Sequence, residues 1–239
     1  LDNKQFEKIP DTDDKLKQMN NDLLKEIPEN FEEKRKSGEN DSYICQLIRN
    51  DSIEEFIIYV NKTLLPLSSQ IKPSIYETNN FLMNKNPTLI EYAAFFGSIQ
   101  IFKYLQMNNV ELTPNIIKYA IHSNNAELIS IIEENDAILT TEIIKKDNDD
   151  KPTKTNFLTC LKIALKCHHN DVAEYFRNKY CDTDQYENNL YEFSIHYYNY
   201  DFFPCSFNMS ILSSLLSYDY IKIVEFLYNM KKFDLNTKI

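Results

Sequence analysis

The chain has 239 residues, 36 acidic against 26 basic, and a formal charge of -10, a balance that disfavours nucleic acid because phosphate binding draws on a basic stripe. No run approaches the ~18 consecutive apolar residues that a membrane-spanning helix requires, and the polar start from Leu1 to Pro10 has no secretory apolar core. With two glycines there is no Gly-rich phosphate loop, and the odd set Cys45, Cys160, Cys167, Cys181 and Cys205, without CxxC spacing, fits reduced thiols in a soluble cytoplasmic protein.

In chain order, Leu16, Met19, Leu23, Leu24, Ile27 and Phe31 fall at helical spacing in a charged background, with Pro28 placed to kink the helix and Gly38 to end it. This predicts an N-terminal helical cap over residues 1–40, and the stripe is too short for a dimerising coiled coil. An array over 41–239 opens with Ser42 to Tyr59 and is then interrupted by an insertion near 63–87 that contains Pro66, Pro73 and Pro87. Thr88 to Leu105 follows, read as a helix, a tight turn and a second helix. Asn115 to Ile132 repeats it, aligning Ile-Glu-Tyr-Ala with Ile-Lys-Tyr-Ala and Gly97-Ser98 with Asn124-Asn125. A second insertion near 136–155 carries the acidic run Asp147 to Asp150. Loops of such length are uncommon unless functional or mobile.

The same frame fits Thr159 to Phe176, where Ile163-Ala164 precedes His168-His169, and more weakly Asn189 to Phe203. An irregular segment near 197–209 gathers Tyr197, Tyr198, Tyr200, Phe202, Phe203 and Phe207 around Pro204, either as local packing or as a partner-facing patch. Ser210 to Leu227 closes the series, its Asp219 to Leu227 following Gly97 to Leu105. Lys232 to Asn236 then resembles the run-out of one repeat into a successor.

Three columns cross this alignment. Ser42, Thr88, Asn115, Thr159, Asn189 and Ser210 precede the six first helices and are predicted N-caps, worth ~1 kcal/mol each. Asp51, Gly97, Asn124, His168, Tyr198 and Asp219 share the turn position. Three residues earlier, Ala94, Ile121, Leu165, Ile195 and Leu216 form a packing column. Ile101, Leu128, Val172 and Ile223, then Phe102, Ile129, Ala173 and Val224, are predicted to form the buried stripe of the second helices.

The run Ala93-Ala94-x-x-Gly97-x-x-x-Ile101-x-x-x-Leu105 resembles the core of the ankyrin repeat. Asn50 to Phe56 and Pro87 to Ser98 also resemble a divergent set of ankyrin proteins from protozoan parasites, filed as a domain of unknown function. The resemblance implies an all-α, ankyrin-type helical repeat solenoid of about six irregular repeats, with an N-terminal helical cap. It departs from the ankyrin pattern where Thr-Pro-Leu-His becomes Thr88-Leu-Ile-Glu91 and where five of the six turn positions lack glycine. In ankyrin proteins the first helices line the concave side, which makes Cys45, Glu91, Lys118, Lys162, Glu192 and Ser213 an expected partner-contact column. Tyr198 and Tyr200, with Tyr104, Tyr119, Tyr218 and Tyr220, are candidate aromatic anchors.

Sites of chemistry are not expected. Cys160, Cys167, His168 and His169 lack the paired spacing of structural zinc. Cys205 with His196 has no third group to orient it. Glu91, Glu133, Glu134 and Glu192 fall where a solenoid exposes them to solvent, and Asp147 to Asp150 lacks the spaced ligands, glycine and distal Glu of a calcium loop. The expectation is a non-enzymatic scaffold without cofactor or metal, binding a protein partner and neither nucleic acid nor membrane. The alternative is a structural role in which the chain forms homo-oligomers through its C-terminal repeat.

Overall fold

A computed structural model describes residues 30–83, 85–135, 155–180, 184–203 and 209–229. The stripe from Leu16 to Ile27, the acidic run Asp147 to Asp150, the run-out from Lys232, Cys181 and Cys205 lie outside them. The described residues are helical and contain no strand, only an isolated antiparallel bridge between Gln70 and Thr88. Two compact units divide the chain, one of Leu1–Ser42 with Lys72–Asn86 and one of Tyr43–Ile71 with Pro87–Ile239.

In the first unit, α1 (Phe31–Ser37) ends at Gly38, whose φ of 66° is the left-handed conformation that glycine adopts at little cost. A side chain there would also collide, since an added Cβ would lie 2.6 Å from Thr78 Oγ1. Thr78 returns two bonds to the Gly38 carbonyl, from its N–H at 3.0 Å and its hydroxyl at 2.9 Å. Asn40, buried, donates to the Lys72 carbonyl at 2.8 Å. The insertion after residue 71, including the short helix α4 (Asn80–Met83), therefore folds with α1 and is more than a surface loop.

The second unit is built of helix pairs: α2 (Tyr43–Arg49) with α3 (Ile53–Thr63), α5 (Leu89–Phe96) with α6 (Ile99–Met107), α7 (Ile116–Ser123) with α8 (Ala126–Glu133), and α9 (Thr155–Lys166) with α10 (Asn170–Tyr180). The fifth pair joins α11 (Asp184–His196) to a single 3-10 turn, Tyr200–Phe202, and the sixth joins α12 (Met209–Ser217) to α13 (Ile221–Asn229). First helices pack on one another in chain order, α2 on α5, α5 on α7, α7 on α9, α9 on α11 and α11 on α12.

Small residues permit this approach. Ala93, Ala120, Ala164 and Ser194 occupy one position of successive first helices and are fully enclosed, as are Ala94, Ile121, Leu165 and Ile195 beside them. Leu216, expected in the second column, is instead 52% exposed. No later first helix follows α12 among the described residues to cover it, and Leu215 takes the inward position.

All six turn positions adopt left-handed backbone: Asp51 (φ 48°), Gly97 (72°), Asn124 (53°), His168 (57°), Tyr198 (56°) and Asp219 (64°). Each ends a first helix, and the next N–H reaches back to close the last turn, as in Ser98 to the Ala93 carbonyl at 2.9 Å, His169 to Ala164 at 3.0 Å and Tyr220 to Leu215 at 2.9 Å, except in the third pair, where the Asn125 N–H donates to Ser123 Oγ at 3.2 Å. Helix starts follow the expected caps less well. Thr88 does cap α5, but Thr159, Asn189 and Ser210 lie inside α9, α11 and α12. No proline or glycine interrupts the residues just ahead of them, so these helices begin earlier. Asn115 caps nothing, because its Oδ1 accepts from the Lys118 ammonium at 2.6 Å.

Candidate functional site

From the second pair on, the residue after each turn position looks back at the preceding pair. Ser98 Oγ donates to the Ile48 carbonyl, Asn125 Nδ2 to Gly97 at 3.5 Å, His169 Nδ1 to Ile121 at 2.8 Å, Asn199 Nδ2 to Leu165 at 3.2 Å and the Tyr220 hydroxyl to Ile195 at 3.0 Å. A carbonyl only accepts, so His169 carries its proton on Nδ1. The last carbonyls of a helix have no partner within it; those of Ile48, Leu165 and Ile195 accept from the turn N–H groups of Asp51, His168 and Tyr198, and the buried Ser98, Asn199 and Tyr220 add a second bond to each from the next pair. Asp51 adds a further tie, its carboxylate accepting from the N–H groups of Gln100 and Ile101, both at 3.0 Å, at the start of α6. The result is a set of turns fixed to one another by side chains, with the first-helix surface beside them.

The expected contact column divides on that surface. Lys162, Glu192 and Ser213 are exposed, Lys162 with its ammonium 5.5 Å from the centre of the Phe193 ring. Lys118 is half-buried and turned onto Asn115. Cys45 is enclosed beside Tyr92, whose hydroxyl accepts from Arg49 at 2.9 Å.

Glu91 does not face solvent. It is 8% exposed, and its Oε2 accepts from the Thr88 N–H at 2.8 Å while Thr88 Oγ1 accepts from the Glu91 N–H at 3.4 Å, a capping box at the start of α5. Its Oε1 accepts from the Thr113 hydroxyl at 2.6 Å. The carboxylate is spent on the fold, and burial together with this nearby charge pushes the Tyr119 phenol up. Tyr119 is accordingly interior, and Tyr104 and Tyr218 are half-buried.

Of the aromatic candidates, Tyr198 and Tyr200 are 53% and 64% exposed, whereas Tyr220 is buried. Burial, with Tyr200 and Tyr198 nearby, pushes the Tyr220 phenol up to about 12. Tyr198 lies 5.4 Å from Tyr220, ring centre to ring centre.

The cysteine and histidine candidates have separate partners. Cys160 is interior, Cys167 Sγ lies 3.2 Å from His122 Nδ1, His168 occupies an exposed turn and His169 holds the Ile121 carbonyl. Burial pushes the Cys167 thiol up, opposite to the shift that activates a nucleophile. Among the described residues no group of three or more His, Cys, Asp or Glu is placed to hold a metal, and no helix is long and apolar enough to cross a membrane.

Two features of α8 and α10 have no counterpart in the expected column. The Tyr175 hydroxyl and the Lys179 ammonium converge on Glu133 Oε2, the latter at 2.9 Å, and burial followed by the Glu133 bond raises the Tyr175 phenol. Beside them Ala126, Ile129, Ser130, Asp171, Val172 and Tyr175 line a pocket of about 230 Å³. The spacing of Tyr175 and Lys179 on one helix face is legible in the sequence, but their meeting with Glu133 depends on how the two pairs pack.

No family model, curated protein or solved structure matches this chain.

Proposed function

We propose that this chain is a non-catalytic protein-interaction scaffold of ankyrin type, similar to the divergent parasite family, working in the reducing interior of a cell. The observation that carries the reading is the register of its turns: six left-handed positions at the spots aligned by sequence, tied pair to pair by side chains. A surface held in this way loses little backbone entropy on binding, so specificity resides in the side chains it presents. Exposed Lys162, Glu192 and Ser213 stand in one such register, and their mixed chemistry suits a polar protein surface better than nucleic acid or membrane. The raised Cys167 thiol agrees with a chain that uses its cysteines for packing.

Affinity capture from the source cell tests the reading, comparing the wild type with a Lys162→Glu, Glu192→Lys, Ser213→Arg variant of equal thermal stability. A partner retained by the first and lost by the second is the expected result. Capture that is identical for both removes this column from the binding site, and a turnover activity that copurifies with the chain overturns the scaffold reading.

Self-association is the second reading, favoured by the apolar flank of the sixth pair, where Leu216, Ile221, Phe226 and Tyr228 are exposed. Light scattering separates the two: a stable monomer at tens of micromolar discards the homo-oligomer.

A further inference from the structure

The fifth pair replaces a second helix by a 3-10 turn and sets aromatic rings in its place. Tyr198 lies 5.4 Å from Tyr220, Tyr220 5.4 Å from Phe203, and Phe203 5.1 Å from Tyr200, ring centre to ring centre. The middle of this chain is fixed, since Tyr220 is buried and bonded to the Ile195 carbonyl. Its two ends, Tyr198 and Tyr200, are open. Single exposed tyrosines are ordinary, but joined rings whose outer members face water make a patch that a partner can use.

Charge narrows the choice of partner. From Tyr180 to Ile221 the sequence contains no Lys or Arg, and the carboxylates beside the rings in sequence are Asp201 and Asp219. Asp219 is exposed at the turn next to Tyr220, and Asp201 is exposed within the 3-10 turn next to Tyr200. Electron-rich ring faces beside carboxylates attract a cation. Guanidinium fits better than ammonium, because it is planar, weakly hydrated and able to stack on a ring while its N–H groups reach a carboxylate. Single-stranded nucleic acid also stacks on aromatic rings, yet it needs a basic groove for its backbone, and this stretch has none.

We propose that Tyr198 and Tyr200, backed by Tyr220 and flanked by Asp219, dock an arginine-bearing segment of the protein partner. The inference rests on the scaffold reading and names the chemistry that one part of its surface accepts.

Fluorescence anisotropy tests it with a labelled peptide of alternating Arg and Gly, its Gln-for-Arg and Lys-for-Arg counterparts, and a single-stranded oligonucleotide. Tyr198→Gly is a clean variant, because it removes a ring at a left-handed position without changing charge, and it is combined with Tyr200→Ala. Tyr43→Ala, at an exposed tyrosine of the first pair, is the control. The arginine peptide is expected to bind the wild type about tenfold more tightly than the glutamine peptide, and the double variant to lose about that factor while melting no earlier. The control variant keeps wild-type affinity. Equal affinity of the wild type and the double variant reduces the effect to net charge and overturns the inference, as does a preference for the oligonucleotide. Should the arginine peptide fail while charge reversal at Lys162 and Glu192 still abolishes partner capture, only this inference falls. Failure of both removes this inference and the column from the binding site, while a copurifying turnover activity is what removes the scaffold reading.

Discussion

The side-chain amide of Asn199 donates to the carbonyl of Leu165 at 3.2 Å and to Asn170 Oδ1 at 2.8 Å, from a site closed to water. Removing the donor leaves a buried carbonyl with one partner fewer and nothing to replace it. Asn199→Ala is expected to lose about 2 kcal/mol and Ser98→Ala about 1 kcal/mol in chemical denaturation. A loss within the experimental scatter for Asn199→Ala would mean that the cross-pair bonds decorate the packing without contributing to it.

His168 is exposed and sits at φ 57°, a conformation that costs a side-chain-bearing residue about 1–2 kcal/mol. His168→Gly relieves that strain at the price of a more flexible unfolded chain, and the net expectation is a gain of about 0.5–1 kcal/mol. Asn124→Gly, at a residue that tolerates the same conformation, is expected to change stability by a few tenths of a kcal/mol at most. Thermal melts of both variants check the contrast, and equal shifts would contradict it.

Tyr220 makes the stability of the fifth and sixth pairs sensitive to alkali. Its phenol ionises at about 12 in the fold and near 10 in the unfolded chain. A raised folded value gives stability that is complete below about pH 10 and lost as pH rises toward 12. Tyrosinate absorbance should therefore show one fewer late-titrating group in Tyr220→Phe than in the wild type, where Tyr92, Tyr119 and Tyr175 are also raised, and the variant is also expected to lose about 1 kcal/mol with its hydrogen bond.

In the first unit, the Lys34 ammonium bonded to Asp41 at 2.7 Å holds that carboxyl below its ordinary value of 3.8. The sign is opposite to that of Tyr220: the contribution is present above the ordinary carboxylate value and lost as pH falls through the depressed one. Carboxyl NMR titration is expected to place the Asp41 midpoint below 3.8, and Lys34→Gln should bring it back up. An unchanged midpoint would show that Ser74, which donates to Asp41 at 3.0 Å, holds the carboxylate unaided.

The turns were legible in the sequence because two helices of fixed spacing leave one position between them, whatever residue fills it. Tyr198 is a poor left-handed residue and Asp51 and His168 are tolerated ones, yet alignment places all three at the turn. Helix starts were less legible, because Thr159, Asn189 and Ser210 have cap chemistry but helix-compatible residues run ahead of them. Glu91 was readable in a different way: Thr88 and Glu91 have the spacing of a capping box, which turns the carboxylate onto its own helix. The cross-pair bonds left one trace, a residue able to donate after each turn at Ser98, Asn125, His169, Asn199 and Tyr220. Which carbonyl each would reach is a property of packing and could not be read from spacing.

The turn bonds also have a direction. In each bond from the residue after a turn the acceptor belongs to the earlier pair and the donor to the later one, and the Asp51 carboxylate obeys the same order, while Asn170 donating to Asp201 runs the other way. Each pair thus turns an accepting edge toward its successor and a donating edge toward its predecessor, so a pair moved elsewhere in the series fits only in the same orientation.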